Sequence, residues 1–248
     1  MSRVAVVTGG ASGMGLSICE HLARRGHSVA ILDIDGAAAE RVAGGIADEH
    51  RIPTLARRVD VADRGAVDWA INDVRTMLGP VEVLVTSAAV APFAPFAEIS
   101  VKDWQRVLAV NLTGPFHCIQ TALPDMVAAG WGRIVTIASS AAQIATPNHA
   151  HYAASKGGLV TLTRAIALEY ARVGITANVI APHMIDTPMF RNARAEVGDP
   201  TGDGGASRIP VGRLGTGDDI AAACTYLVSD EASYITGQTY GVNGGAIP

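Results

Sequence analysis

TGGASGMG, residues 8–15, stands between a short apolar run and the first segment with helical periodicity. Its glycines have distinct expected roles: Gly9 permits a tight turn, Gly13 lets the backbone approach a pyrophosphate, and Gly15 allows a helix to pack closely on a strand. The N-terminus of the following helix would present free N–H groups and the positive end of its dipole to such phosphates. A strand, a glycine-rich turn and a helix in this order predict the first unit of a nucleotide-binding α/β fold.

Apolar runs alternate with helical patterns along the rest of the chain. The runs are rich in Val and Ile and mostly do not alternate with polar residues, as is typical of parallel strands covered on both faces. We expect strands at 4–7, 29–32, 55–59, 81–85, 134–137, 176–180 and 238–242, and helices near 14–25, 37–49, 64–78, 101–129, 153–173 and 217–229. Gly26 is expected to end the first helix, and Ser100 with Asp103 resembles a capping box. This alternation predicts one doubly wound parallel α/β sheet with helices on both faces.

One segment breaks the alternation. Residues 187–213 are rich in Gly, Pro and Asp and are too long for a plain connection. Connections of this length are usually functional lids or mobile segments. Since no linker and no internal repeat is visible, the sequence predicts a single domain over residues 1–248 with a lid-like insertion at about 187–213.

Composition excludes several classes of protein. Apolar residues make up 49% of the chain and charged residues only 17%, which excludes a disordered chain. The net charge is −4 and the basic residues are scattered, so we expect neither nucleic acid nor a membrane surface as a partner. Cys19, Cys118 and Cys224 are far apart and are predicted to be buried free thiols in a reducing compartment. Without a signal peptide or a membrane-length apolar run, the expected location is the cytoplasm.

The second apolar run ends at Asp33, about twenty residues after the glycine-rich turn. A carboxylate at this point can accept hydrogen bonds from the hydroxyls of an adenosine ribose. An ordinary loop aspartate is the competing interpretation of this residue taken alone. Together the two motifs predict a dinucleotide with a free ribose, and therefore NAD rather than NADP.

HYAASKGG, residues 151–158, places Tyr152 and Lys156 one turn apart on the same face of a helix. A nearby ammonium favours the phenolate, so we expect it to lower the pKa of the tyrosine from its usual value of about 10. Such a phenol can exchange a proton with a carbinol or carbonyl oxygen. The other residues of the stretch after the tyrosine are small and leave room for a cofactor. Exposed Tyr/Lys pairs are common in helices, so this spacing alone is weak evidence.

Taken together, these motifs resemble the short-chain dehydrogenase/reductase family, in its common single-domain branch. The chain also carries VNLTG, IVTIASSAA, ITANVIAP, IPVGRLGTGDDIA and a terminal ASYITGQTYGVNGG, in the family's order. The resemblance runs from end to end. It implies a Rossmann-type doubly wound seven-stranded parallel sheet in three α/β/α layers, with strand order 3-2-1-4-5-6-7. It also implies a homotetramer in which helices 101–129 and 153–173 form one interface.

The resemblance implies four catalytic residues. Tyr152 is the expected general acid/base, and Lys156 is expected to hold the nicotinamide ribose and lower the pKa of the tyrosine. Ser139 rather than Ser140 has the family's spacing to the tyrosine, and its hydroxyl would hydrogen-bond the substrate oxygen. Asn111 in VNLTG matches the asparagine that kinks the helix and supports a water leading to the lysine.

The same resemblance implies the cofactor contacts. Asp60 and Val61 resemble the pair beside the adenine. Ile185 and Thr187 resemble the residues that bind the nicotinamide carboxamide. The expected cofactor-binding residues are Gly9, Ser12, Gly13, Met14, Gly15, Asp33, Ile34, Asp60, Val61, Ala88, Tyr152, Lys156, Pro182, Ile185 and Thr187. Ser12 and Ile34 stand where NADP-using relatives often carry a basic residue, which again favours NAD.

Two stretches depart from the family's pattern. TSAA, residues 86–89, replaces Asn-Asn-Ala-Gly, and we expect the Thr86 hydroxyl to make the hydrogen bonds of the first asparagine. Ala89 requires a negative φ and would crowd the cofactor side. His183 replaces a glycine, and it either contacts substrate or faces solvent. His149 is expected to line the mouth of the pocket rather than move a proton. These histidines are not grouped with other metal-ligating residues, so no metal site is predicted.

The leading hypothesis is an NAD-dependent oxidoreductase that interconverts a secondary alcohol and a ketone by hydride transfer. A 3-oxoacyl-thioester reductase acting on an acyl-carrier or CoA substrate is the alternative, and a non-catalytic NAD-binding regulator is a third hypothesis. An acyl-carrier or CoA substrate favours a basic pocket rim. The basic lid residues are balanced by acidic ones: Arg191, Arg194 and Arg208 against Glu196, Asp199 and Asp203. The expected pocket predicts a mid-sized, mostly apolar substrate and consists of Ala91, Gln143, His149, His183, Met184 and Phe190.

Overall fold

A computed structural model of the chain describes residues 2–144, 146–197, 203 and 205–247. Within these residues seven strands form one sheet, in the order β3-β2-β1-β4-β5-β6-β7, and every neighbouring pair is parallel. The predicted sheet and its strand order are confirmed. The strands are β1 Val4–Thr8, β2 Ser28–Asp33, β3 Thr54–Arg58, β4 Val83–Thr86, β5 Gly132–Ile137, β6 Ile175–Pro182 and β7 Thr239–Val242.

Helices cover both faces of the sheet. They are α1 Gly13–Arg24, α2 Gly36–His50, α3 Arg64–Met77, α4 Val101–Leu108, α5 Gly114–Ala129, α6 Ala150–Tyr170, α7 Pro188–Val197 and α8 Gly217–Leu227. The helix predicted over 101–129 is divided by a π-helical turn at Ala109–Thr113. The lid region contains α7 and a short 3₁₀ turn at Ala206–Arg208, neither of which the composition predicted. Residues 198–202 and 204 of the lid, including Asp199, lie outside the described residues.

Two hydrophobic cores explain why the strands read as unbroken apolar runs. Along β1, Ala5 and Val7 face the core formed with α1, α2 and α8, whereas Val4 and Val6 face the core formed with α3, α5 and α6. Successive side chains of a strand point to opposite faces, so a strand covered on both sides needs apolar residues at every position. The result is the predicted three-layer α/β/α arrangement.

Helix ends follow the signals in the sequence, with one difference. Gly26 has φ +80° just after α1, as expected of a helix-ending glycine. The Ser100 hydroxyl accepts the N–H of Asp103 at 3.1 Å. The Asp103 carboxylate accepts the Ser100 hydroxyl at 2.6 Å rather than the Ser100 backbone N–H, so the capping box is incomplete. A complete capping box forms instead at Thr216 and Asp219, at the start of α8. No helix of the described ranges is both long and apolar enough to cross a bilayer.

The carboxyl ends of the central strands position the candidate site. The chain order reverses between β1 and β4, which start connections to opposite sides of the sheet. Ligands of open α/β sheets bind in the crevice outside such a reversal point. The segments that follow β1, β2, β4, β5 and β6 all meet at this edge.

Candidate active site

The glycine-rich turn after β1 brings three backbone segments into contact. Gly9 has φ +66° and donates its N–H to the Leu32 carbonyl at 2.7 Å, and a Cβ there would lie 2.8 Å from the backbone of Ala88. A Cβ on Gly15 would overlap the carbonyl oxygen of Gly9. The close approach at Gly15 is therefore between the helix and the turn itself, rather than between the helix and the strand. Side chains are excluded at both positions by backbone atoms, which cannot move aside.

The N-terminus of α1 opens into the cleft without a side-chain cap. Ser12 is its N-cap, but the hydroxyl makes no capping hydrogen bond, whereas Asp35 caps α2 and Asp63 caps α3. The first N–H groups of a helix need partners, and together with the helix dipole they favour an anion. This end of the cleft fits the diphosphate of a dinucleotide.

Asp33 lies at the end of β2 and is held by the turn. Its Oδ2 accepts the N–H of Ala11 and its Oδ1 accepts the N–H of Asp35, both at 3.0 Å. Each carboxylate oxygen keeps a lone pair that can accept from a ribose hydroxyl. Ile34, which follows, is 54% exposed and brings no charge to this end of the cleft.

Two arginines near this end were not identified from the sequence. Arg58 is exposed and stands opposite Asp33 in the β2–β3 register, with its Cβ packed on Gly36. Arg106 lines the cleft with its guanidinium 3.7 Å from the carboxylate of Asp60. Only strand pairing and helix packing bring these cations beside the carboxylates, so spacing along the chain carried no signal for them.

The cleft runs along the carboxyl edge of the sheet from Asp33 to Tyr152. Its two halves share Met14, Thr187 and Met189 as wall residues. Of the expected cofactor residues, the described cleft wall includes Gly9, Ser12, Gly13, Met14, Gly15, Asp33, Ile34, Asp60, Val61, Ala88, Tyr152, Pro182, Ile185 and Thr187. Lys156 is buried behind the wall rather than lining it.

Tyr152, Lys156 and Ser139 meet at the other end of the cleft. The Ser139 hydroxyl acts to lower the pKa of the Tyr152 phenol, and it accepts the N–H of Ala141 at 3.1 Å. The Lys156 ammonium donates to the Ile137 carbonyl at 2.8 Å and lies 5.6 Å from the centre of the Tyr152 ring. The structure thus brings the predicted serine, tyrosine and lysine together.

The charge balance of this group differs from the expectation. Burial raises the pKa of the Tyr152 phenol, although the hydrogen bond from Ser139 acts in the opposite direction. Burial also lowers the pKa of Lys156 to about 7. The prediction that the pKa of Tyr152 falls below its usual value is wrong, because burial penalises the charged phenolate.

Asn111 lies in the π-helical turn between α4 and α5, which interrupts the helix as expected. Its Oδ1 accepts the N–H of Val90 at 2.9 Å, and its amide hydrogens go to the Val90 carbonyl at 2.8 Å and the Ser155 hydroxyl at 3.1 Å. The side chain therefore joins the loop after β4 to helix α6. Both of its amide hydrogens are used by the protein, and its support of a water stays a prediction.

The TSAA stretch behaves differently at its two ends. The Thr86 hydroxyl is buried and has no hydrogen-bond partner among the described residues, so the predicted replacement of the asparagine's hydrogen bonds is wrong. Its register partners are Thr8 of β1 and Thr136 of β5, whose hydroxyls bond elsewhere: Thr8 accepts the N–H groups of Ser87 and Ala88, and Thr136 pairs with Thr163. Ala89 has a negative φ and lines the cleft, as predicted for a residue that replaces glycine.

Five of the six expected pocket residues line the cleft around Tyr152. The exception is Gln143, which is exposed at the end of a 3₁₀ turn and is absent from the described cleft wall; its contact with substrate stays a prediction. His183 lines the cleft, and its Nδ1 lies 2.9 Å from the Ser140 hydroxyl. His149 is 92% buried in the wall rather than at the mouth. Four further residues line this half of the cleft and were not predicted from the sequence: Phe93, Thr146, Met189 and Ala193.

Comparisons with known proteins agree with this geometry. A family model described as enoyl-(acyl-carrier-protein) reductase matches residues 9–246. D-threitol dehydrogenase from Mycolicibacterium smegmatis is 38% identical over 246 residues, covering 98% of this chain and 92% of that one. A 3-oxoacyl-[acyl-carrier-protein] reductase from Staphylococcus aureus is 34% identical over 248 residues, covering 99% and 98%. Among solved structures, a variant actinorhodin polyketide ketoreductase with NADPH has a TM-score of 0.94 at 32% identity, covering 99% of this chain and 97% of that one. The chain belongs to the short-chain dehydrogenase/reductase family.

Proposed function

We propose that this protein is an NAD-dependent oxidoreductase that interconverts a secondary alcohol and a ketone. The observation that carries the proposal is a cleft of two adjoining halves, with Asp33 and the uncapped α1 in one half and Tyr152 and Ser139 in the wall of the other. The first end suits the adenosine and diphosphate of a dinucleotide. The second end suits proton transfer at a carbinol or carbonyl oxygen.

The chain's own residues account for the proton and for the charge on oxygen. A nicotinamide ring supplies the exchange of a hydride with the carbinol carbon. In reduction the Tyr152 phenol gives its proton to the carbonyl oxygen, and in oxidation its phenolate form takes the hydroxyl proton. Ser139 donates a hydrogen bond to the same oxygen as charge develops there. Lys156 would hold the nicotinamide ribose; in the structure its ammonium lies behind the wall and donates to the Ile137 carbonyl at 2.8 Å.

The choice of NAD rests on Asp33 and Ile34. A carboxylate beside the ribose accepts hydrogen bonds from its hydroxyls and repels a 2′-phosphate. Arg58 and Arg106 act in the opposite sense, because each places a cation at the same end of the cleft. We infer that Asp33 prevails, since Arg58 does not line the cleft wall and Arg106, which does, lies 3.7 Å from the Asp60 carboxylate.

The substrate is a neutral, mid-sized molecule with one or two polar groups. Around Tyr152 the described wall carries no Asp, Glu, Lys or Arg side chain, and its polar members are hydroxyls and imidazoles. A 3-oxoacyl thioester is the second candidate, because Arg194 lies over the Phe190 ring at 5.4 Å and brings a cation near the lid. A non-catalytic NAD-binding regulator is the third candidate.

We also expect a homotetramer in the cytoplasm. Helices α5 and α6 expose apolar side chains, including Phe116 and Leu168, which a partner subunit would cover. The three cysteines are buried and unpaired, which suits a reducing compartment. Light scattering measures the assembled mass.

Tyr152→Phe tests the proposed function. Turnover should fall by at least about a hundredfold, the contribution of a positioned acid/base, while NAD affinity stays within about threefold. NAD reduction is followed across cyclic, aryl and acyl-thioester alcohols, with Tyr170→Phe as the matched control, because that tyrosine lies at the far end of α6. More than a tenth of the activity in Tyr152→Phe would exclude Tyr152 as the acid/base.

A further inference from the structure

The Tyr152 ring is the end member of a stack of three rings. His149 lies flat against it, with ring centres 4.4 Å apart and planes at 17°, and Phe93 covers the other face of His149 at 4.1 Å and 15°. Both distances are at the short end of the range for aromatic contacts. The imidazole therefore fills the space between the catalytic tyrosine and the loop that carries Phe93.

The position of His149 is fixed by its backbone and by one edge of its ring. Asn148, the residue before it, has φ +61°, a conformation that few residues other than glycine adopt. The carbonyl of Asn148 accepts the N–H of Ala94 at 2.9 Å, and the imidazole has a polar contact with the backbone of Ala91 that acts to raise its pKa. These contacts tie the loop over 91–94 to the start of α6. Strain of this kind persists where the surroundings hold it, and it clusters at functional sites.

The other edge of the ring, at Nε2, exchanges no proton with the described residues. The Nε2 atom is buried and has no hydrogen-bond partner among the described residues. Burial also lowers the pKa of His149, which keeps the ring neutral at neutral pH. The ring is neutral, one of its edges contacts the Ala91 backbone and one of its faces stacks on Tyr152. This arrangement is suited to hold the phenol in place.

We propose that His149 is a positioning residue, whose ring face fixes the orientation in which Tyr152 meets the substrate oxygen. This inference rests on the proposed function, because Tyr152 must be the acid/base for its orientation to matter. Proton transfer needs heavy atoms within hydrogen-bond reach, and a misplacement of about 1 Å can cost about a hundredfold in rate. Phe93 supports the stack from outside, so its effect has the same direction and a smaller size.

Three variants separate the contribution of the ring face from that of the polar contact with the Ala91 backbone. His149→Phe keeps a ring in the stack and loses the contact with Ala91. His149→Asn keeps a polar group for that contact and loses the ring, and His149→Ala loses both. We expect kcat within about threefold of the parent for the Phe variant and about 30- to 100-fold lower for the other two. The dissociation constant of NAD should stay within about threefold in all of them, because no contact with the glycine-rich turn is altered.

Steady-state kinetics over pH 6–10, with NAD binding measured separately, decide the matter. The proposal is overturned if Asn preserves kcat better than Phe, which would make the loop hydrogen bond the important contact. It is also overturned if Phe is as poor as Ala and the pH profile loses a step, which would make His149 a proton carrier. If His149→Ala does not fold, Phe and Asn still decide between the outcomes. An active Tyr152→Phe would overturn the proposed function, whereas an inactive Tyr152→Phe beside a fully active His149→Asn would overturn this inference alone.

Discussion

Replacing Asp33 by Asn should relax the choice between NAD and NADP. The exchange removes the negative charge at the ribose end of the cleft and keeps the shape of the side chain. Asn still offers one oxygen to the N–H groups of Ala11 and Asp35, which the two carboxylate oxygens now accept at 3.0 Å each. The amide nitrogen cannot accept the other N–H, so the fold should lose about 1.5–3 kcal/mol, the usual worth of one hydrogen bond to a charged group.

The magnitude follows from two contributions. Two unit charges about 4 Å apart repel by about 4 kcal/mol at an effective dielectric of 20. Asp33 is partly exposed and Arg58 stands opposite it, and both reduce the repulsion. We therefore expect about half of this energy, or about 2 kcal/mol, which corresponds to about 30-fold in affinity. In NADP a phosphate also replaces the 2′-hydroxyl, so the hydrogen bond from that hydroxyl to the Asp33 carboxylate is lost. A hydrogen bond to a charged group is worth about 1.5–3 kcal/mol. The parent enzyme should thus prefer NAD by a hundredfold or more, and Asp33→Asn should lower that preference by about 30-fold.

The assay is kcat/KM for NAD and NADP with the same alcohol. Asp35→Asn is the matched control, because it removes a charge two residues away at an exposed position and Asn remains a good N-cap for α2. It should change the preference by less than about fivefold, the order of an exposed charge interaction. Adding Ile34→Arg to Asp33→Asn should move the preference towards NADP. Equal use of both cofactors by the parent enzyme, or an unchanged preference in Asp33→Asn, would refute the assignment of Asp33 and point to Arg58.

Three further predictions concern the buried lysine, the cleft histidine and the glycine-rich turn. The pKa of Lys156 is about 7 in the fold against 10.5 ordinarily, so the unfolded chain binds the extra proton and the free energy of unfolding rises with pH. Lys156→Met should flatten that rise in urea titrations between pH 7 and 9 and abolish most turnover; an equal slope in both proteins would contradict the buried ammonium. His183→Gly should shift KM or the preference among alcohols while NAD affinity holds, and a change confined to NAD binding would show that it is a cofactor residue. Gly15→Ala should destabilise the fold by more than about 2 kcal/mol in denaturant titrations, because its methyl group would overlap the Gly9 carbonyl. Gly44→Ala, in an open position of α2, should stabilise it by about 0.5–1 kcal/mol; similar effects of both would refute the steric argument.

Features with a local cause could be predicted from the sequence. The apolar runs predicted the strands, because a strand buried on both faces needs apolar residues at consecutive positions. The turn glycines and the position of Asp33 after the second strand indicated a dinucleotide fold, since these residues act through backbone geometry over short separations. The spacing of Tyr152 and Lys156 placed both on one helical face. The strand order came from the resemblance, because nothing in one strand states which neighbour it pairs with.

Only the tertiary structure decided the contacts between distant segments and the burial that goes with them. Arg58 stands opposite Asp33 because of strand register, and His149 stacks on Tyr152 because the loop with Phe93 folds over it. The tyrosine pKa rises rather than falls for a similar reason: desolvation depends on every atom packed around the phenol, not on one neighbour a turn away. Pairing, packing and solvent exclusion are properties of the assembled layers, so spacing along the chain does not specify them.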